Sequence, residues 1–191
     1  MLAVRGPTRF TRGGGAELLR GELGPRAGAL FQPGVMNNRV MRISAKVDYA
    51  LRALVEIARA QAGPVSAEDV ALAQDIPRNF LQAVLSDLRR AGFVASRRGQ
   101  AGGWVMAREP GTISIADVIR ATDGPLVSIH GQRAEDVQYD PSVAVLQWVW
   151  IAVRSSLREV LENVTIAQLV SGELPSDVAA RTSETGVWES R

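Results

Sequence analysis

The chain has no cysteine. That absence excludes disulfides, thiolate metal sites, iron–sulfur clusters held by cysteine, and thiol nucleophiles. Histidine occurs once, at His130, and lysine once, at Lys46. With one histidine, placed in a loop, and no glycine-rich phosphate motif following a strand, a nucleophile and its base cannot be assembled, so an enzyme is not expected. Long apolar runs are missing as well. Charge interrupts each apolar stretch within a few residues, whereas a membrane span needs roughly 20 continuous apolar residues and a secretory signal an apolar core of roughly 7 to 15. The expectation is a cytoplasmic protein that does not enter membranes.

What is present is a chain of 191 residues, 46% of them hydrophobic, enough to bury the core of one domain or one and a half. The net charge of +2 hides a gradient. Residues 1–40 hold 6 arginines against 2 acids, residues 41–110 hold 10 basic against 7 acidic side chains, and residues 111–191 hold 6 basic against 11 acidic. The basic surplus therefore lies ahead of residue 111. Residues 1–40 also carry eight glycines and three prolines with no sustained period, and are read either as a disordered extension or as sequence upstream of a true start at Met41.

Order is expected from "MRISAKVDYALRALVEIARA". Val47, Leu51, Leu54, Val55 and Ala58 share one helical face behind Ser44 as cap, which predicts a helix over 45–61 ended by Gly63 and Pro64. Ser66 caps a second, short helix with Glu68 and Asp69 in its first turn, where carboxylates suit the helix dipole. A third follows in "IPRNFLQAVLSDLRRAGFV", with Pro77 at its start. Phe80, Leu81, Val84, Leu85 and Leu88 are its expected buried stripe, leaving Arg78, Asn79, Gln82 and Arg89 outside, and Gly92 stops it. "FVASRR" and "GWVMAR" alternate around "GQAG" as a β-hairpin. The fold class is therefore mainly α with a small β-hairpin wing: a winged helix-turn-helix domain over 41–125.

Within that domain "TISIADVIRATDG" adds a helix capped by Ser114, with Asp117 three residues on, an apolar face of Ile115, Val118 and Ile119, and Gly124 and Pro125 at its end. A polar loop over 126–140 leads to the longest helix, from Pro141, with Asp140 as cap, to about Asn163, roughly 35 Å at 1.5 Å per residue. Leu146, Val149, Val153, Val160 and Val164 recur along it, and Trp148, Trp150, Ile151 and Leu157 add apolar surface on other faces. One small domain cannot cover so much, so a long dimerisation helix paired with its own copy is expected. Thr165 and Gln168 form a capping box for a short terminal helix within the 141–172 segment. Residues 173–191 are expected to be a flexible tail.

The segments "MRISAKVDYALRALVEIA", "IPRNFLQAVLSDLRRAGFV", "SRRGQAGGW", "ISIADVIRATDG" and "VTIAQL", in this order, resemble the Rrf2 family of bacterial transcription regulators over about residues 41–170. The resemblance implies a homodimeric winged-helix protein that binds double-stranded DNA at partly palindromic operators. Carried over by position, the first turn of the third helix would enter the major groove, with Asn79 and Gln82 able to pair bidentately with adenine. Pro77 stands where many relatives have serine, so the operator cannot be copied from them. Arg78 would serve a phosphate, and the helix end at Ser66 another. At the wing, Arg98 and Gly99 would enter the minor groove, whose negative potential attracts arginine, with Arg97 on phosphate. Gly102 and Gly103 would permit the tight reversal, and Trp104 would pack the wing onto the third helix. The bland alternative is an ordinary hairpin with solvated charges. A basic arm over 1–40 touching DNA is a further option.

Many relatives hold an iron–sulfur cluster through three cysteines in the loop ahead of the long helix; here 126–140 reads as a sensor-type loop without cysteines. His130 alone cannot hold a cluster. Glu135, Asp136 and Asp140 are donors for a hard cation in principle, but read rather as a solvated cap, and neither metal nor cofactor is expected. Sensing would then use a small-molecule effector near Trp148 and Trp150, or a partner protein docking on the acidic C-terminal half. Tryptophans at i and i+2 point to different sides of a helix, so dimer packing is the simpler role for them. Repression is the expected sign, because a dimer on a promoter occludes it. The competing function is a protein-interaction adaptor on a winged-helix scaffold that no longer binds DNA.

Overall fold

The computed structural model describes residues 43–60, 63–99 and 101–189. The readings made for residues 1–40 and for Met41 lie outside them.

Helix α1 (Ala45–Arg59) begins where the Ser44 hydroxyl accepts the Val47 amide at 3.1 Å. It is the axis of the molecule: α2 (Ala67–Gln74), α3 (Arg78–Arg90), α4 (Ile115–Thr122) and α6 (Ile166–Ser171) all pack against it. Its buried residues are Val47, Ala50, Ala53, Leu54 and Ile57, while the expected Leu51, Val55 and Ala58 are half-buried. The stripe is turned toward Ala50 and Ala53 because small side chains let neighbouring helices approach closely, a choice that favouring the largest apolar residues misses.

Leu81, Val84, Leu85 and Leu88 of α3 are buried as expected, but Phe80 is not: it is 63% exposed. The four aliphatics already complete one i, i+3, i+4, i+7 face, and Phe80 lies beside it, its ring edge-on to Tyr49 with centroids 6.4 Å apart. Pro77 is the N-cap, one position before the helix proper.

Strands β1 (Val94–Arg97) and β2 (Gly103–Met106) form the antiparallel wing, Arg97 opposite Gly103 and Ser96 opposite Trp104. β2 lies against α1 and β1 against α3. Trp104, on the strand that lies against α1, packs against a core to which both α1 and α3 contribute. The winged helix-turn-helix is closed below by a bridge between two capping boxes, Ser114–Asp117 and Thr165–Gln168. There the Ile115 amide donates to Val164 at 2.9 Å and the Ile166 amide to Ile113 at 3.0 Å, bringing Ile113 and Ile166, both fully buried, into the core.

The loop 126–140 carries a hairpin that sequence did not reveal, β3 (Ser128–Ile129) and β4 (Gln132–Arg133), reversed by His130 and Gly131 at positive φ (52° and 81°). Two consecutive left-handed residues are what a two-residue hairpin turn demands. The expected single long helix is divided. A 3-10 turn, Pro141–Val143, comes first, tightened by the Asp140 carboxylate accepting the Ser142 amide at 2.9 Å, and α5 (Val145–Leu161) follows. Its 17 residues span about 25 Å.

No residue of α5 is buried; Val145, Leu146, Trp148 and Val149 are 67%, 38%, 68% and 46% exposed. The Trp148 and Trp150 side chains diverge, Trp148 outward while the Trp150 indole donates to the Tyr139 hydroxyl at 3.0 Å. One of the expected dimer residues is used within the chain. Val164 is only 2% exposed and belongs to the capping bridge, whereas Val160 lines a depression with Val178, Val187 and Trp188. The expected flexible tail is instead a docked helix, α7 (Ser176–Thr182), with Val178 buried, Arg181 paired to Glu159 at 3.0 Å and the Trp188 indole capping the Thr182 carbonyl at 2.8 Å.

Candidate nucleic-acid interface

Ser66 starts α2 by accepting the Asp69 amide at 3.0 Å, and its hydroxyl donates to the Asp69 carboxylate at 2.7 Å. That hydroxyl is committed. With Glu68 and Asp69 in the same turn, a phosphate arriving here would meet two carboxylates, which weakens the expected role of Ser66. The reversal into α3 is made by Asp75 at φ 48°, and buried Ile76 anchors it. Pro77 then directs the first turn of α3 outward, where Arg78, Asn79, Phe80 and Gln82 are all exposed.

Arg78 is not unattached: it is ion-paired with Glu68, and the two residues line a cleft with Gln82. Asn79 and Gln82, three residues apart, share a face. Phe80 is the residue that sequence reasoning misassigned. Its exposure beside Asn79 gives the surface an apolar group of the kind that contacts a thymine methyl. The signal was available, since the core stripe is complete without it.

At the wing, Gly99 has φ 115°, conformational space that side chains avoid, and its carbonyl accepts the Gly102 amide at 2.9 Å. Gly103 has a different function from the expected reversal. A Cβ on it would lie 2.5 Å from the Val65 carbonyl oxygen, because Val65 and Trp104 exchange backbone hydrogen bonds of 3.0 and 2.7 Å. Val65 immediately precedes the cap of α2, so the wing is joined to the start of the helix-turn-helix through this contact. Arg97 and Arg98 are exposed beyond it. Among the described residues neither has an ion-pair partner, unlike Arg78.

The acids ahead of α5 are also engaged. Glu135 pairs with Arg133 and Arg154, Asp136 lies 3.9 Å from Arg133, and Asp140 caps the 3-10 turn. Hydrogen bonds from the Ser142 hydroxyl and amide hold the Asp140 carboxyl below its ordinary range.

Known proteins share this architecture. A family model described as Rrf2, iron-dependent transcriptional regulator, matches residues 43–172. The chain is 45% identical over 152 residues to Rv1287 of Mycobacterium tuberculosis, assigned by name to the HTH-type transcriptional regulators, with 78% of this chain and 94% of that one covered. To the HTH-type transcriptional regulator CymR of Bacillus subtilis it is 34% identical over 132 residues, 69% of this chain and 91% of that one. The solved structure of B. subtilis CymR, described as the global cysteine regulator, superposes with a TM-score of 0.58 at 32% identity, covering 69% of this chain and 97% of its own. IscR from T. potens does so with a TM-score of 0.57 at 30% identity, over 75% and 92%. The iron of the family description finds no fitting donors among the described residues. Cysteine is absent, His130 sits exposed at a hairpin tip, and among the described residues no three potential ligands converge.

Proposed function

The chain belongs to the Rrf2 family of DNA-binding transcriptional regulators, and from that premise we propose that it is a cysteine-less repressor that reads a partly palindromic operator as a homodimer. The observation that carries this reading is the pairing of two exposed readers on one body: Asn79 and Gln82 on the first turn of α3, and the wing arginines Arg97 and Arg98, tied to the start of α2 through Gly103 and Val65. The amides suit adenine edges in the major groove, and an arginine beside Gly99 suits the electronegative minor groove. Arg78 serves a phosphate once it leaves Glu68.

Dimerisation is supported by α5, whose exposed Val145, Leu146, Trp148 and Val149 lie on a helix with no buried residue. Contiguous apolar surface of this kind marks an interface. Of the residues expected to form it, Leu146, Val149, Val153 and Val160 remain available; Val164 is used internally. A two-fold pair presents two wings and two recognition helices, which is why a palindrome is the matching target. Repression follows from occupancy of the promoter. The protein works where the chromosome is, in the cytoplasm. Its signal arrives through a small ligand or a partner protein rather than a cluster.

Selection of bound fragments from the source genome, followed by footprinting and sedimentation of the complex, tests the reading. An inverted repeat protected by a dimer is expected, with affinity falling steeply as salt rises because phosphate contacts release counterions. A monomer that selects no sequence and shows no salt slope overturns it in favour of the adaptor.

A further inference from the structure

The last 81 residues of the chain carry 6 basic side chains against 11 acidic ones. Four of those six, Arg120, Arg133, Arg154 and Arg158, line one cleft of about 510 Å³ together with Gly124, Pro125, Leu126 and a single acid, Glu135. Gathering four permanent charges of one sign in the acidic part of a protein is unfavourable unless something negative offsets it.

The chain supplies that counter-charge only in part. Arg133 and Arg154 share Glu135, and Arg120 and Arg158 share Glu162, the Arg158 to Glu162 distance being 2.9 Å. The result is two Arg–Glu–Arg triads whose remaining positive charge is met only from outside the cleft, since Glu135 is the one acid in its lining. Two further acids stand at the margins. Asp117, 3.5 Å from Arg120, spends its other oxygen on the Ser114 amide in the capping box, and Asp136 reaches Arg133 only at 3.9 Å. Neither lines the cleft. A guanidinium offers five donors and no acceptor, so most of the N–H groups here have no carboxylate oxygen to meet. Arg154 is the most enclosed of the four, at 26% side-chain exposure.

Three structural elements converge on this place. Arg120 comes from α4, Arg133 from β4, and Arg154 and Arg158 from α5, where their spacing of four residues puts both on one face. The segment that follows β4 is held by the Gln147 amide, which donates to the carbonyls of Glu135 at 3.0 Å and Val137 at 3.3 Å. The arginines are thus carried on anchored backbone rather than on a free loop. Pro125 and Leu126 add an apolar wall, giving the mix of apolar surface and convergent polar groups that small-molecule sites have, at a volume within their usual range.

We infer that this cleft binds a small organic oxyanion carrying at least two negative charges, a phosphate ester or a dicarboxylate, between its two Arg–Glu–Arg triads. Bidentate guanidinium pairing with carboxylate or phosphate oxygens supplies the recognition. Glu135 competes with the ligand for Arg133 and Arg154. The inference stands on the cleft alone and does not depend on DNA binding.

Thermal unfolding and titration calorimetry of the full chain with inorganic phosphate and with succinate, each against sodium chloride at equal ionic strength, test it. At least one of the two anions is expected to raise the melting temperature saturably and chloride is not; phosphate alone points to a phosphoryl ligand, succinate alone to a dicarboxylate. Because phosphate also stabilises proteins by exclusion from their surfaces, the decisive comparison is with variants. Arg154→Gln and the more exposed Arg158→Gln are expected to weaken the anion about tenfold or more, and Glu135→Gln to strengthen it. If neither anion exceeds chloride, or if Arg158→Gln leaves a saturable response unchanged, the site does not exist.

Discussion

Arg78, on the first turn of α3, is ion-paired with Glu68 on the first turn of α2, and the side chains of both are about two-thirds exposed. The arginine proposed to meet a phosphate is therefore held by a carboxylate in the protein alone. Glu68→Gln releases Arg78 and removes a negative charge from the face proposed to meet DNA. Affinity for any duplex is expected to rise about two- to fivefold at low salt, with little change in preference between sequences, because a phosphate contact carries no base information. Salt-dependent anisotropy titrations on operator and random DNA check both halves of that statement.

Arg98→Ala is expected to weaken operator binding by about tenfold or more, equivalent to about 1.4 kcal/mol. The loss should be smaller on a site whose minor groove under the wing is widened by G·C pairs, since a narrow groove attracts the guanidinium. A gel-shift titration with unchanged affinity would remove Arg98 from the interface.

Gly103→Ala would set a Cβ 2.5 Å from the Val65 carbonyl. Backbone cannot move aside as a side-chain tip can, so the Val65–Trp104 pairing must open. The expected cost is about 1 to 3 kcal/mol of stability, together with weaker DNA binding because the wing loses its tie to the start of α2. Urea unfolding and a gel shift measure the two effects separately.

Lys46 donates to the Thr122 carbonyl at 2.8 Å and meets the Asp87 carboxylate at 2.6 Å, joining α1 to both α3 and α4. The Lys46 hydrogen bond, reinforced by its charge and by Arg90, holds the Asp87 carboxyl below its ordinary value of 3.8 against the opposing effect of burial. A lowered folded-state value means that the stability contributed by Asp87 is fully present above the unfolded value and is lost as pH falls through the folded one. Lys46→Met is therefore expected to cost about 1 kcal/mol near neutral pH, the upper range for a pair this accessible, and to flatten the acid side of the stability curve. Denaturation midpoints measured from pH 7 downward for both proteins supply the difference.

Leu146→Glu and Val149→Glu place charge on the exposed apolar face of α5 without touching a buried residue. Sedimentation is expected to show a shift from dimer to monomer, and operator affinity to fall with it, while the melting of the single chain changes little. A dimer that persists in both variants puts the interface elsewhere.

The helix starts were legible because a cap is local: Ser44, Ser66, Ser114 and Thr165 each accept the amide three residues on, as the sequence spacing implied. The wing was legible from alternation around glycines. Which face each helix buries was less so, since burial depends on what lies opposite. Phe80 and Val164 look alike as apolar residues in periodic runs, yet one is exposed beside Tyr49 and the other is sealed under the capping bridge. α7 was invisible because its apolar content is too small to give a periodic signal, and the Arg181–Glu159 and Trp188–Thr182 contacts that dock it join residues distant in sequence or at its end. The arginine cleft was hidden for the same reason: its members are spread from Arg120 to Arg158 and meet only in three dimensions. At the recognition surface the exposed side chains were foreseen, but not the Glu68 that holds Arg78.

Ile166 sits in the same core as Ala50 and Ala53, and α6 packs on α1 although roughly a hundred residues separate them along the chain. During translation the three-helix reader and its wing therefore emerge from the ribosome first and wait without a floor until the final stretch is made. Contacts so remote in sequence form late. A polypeptide released early, after α5, would leave the underside of α1 open to water.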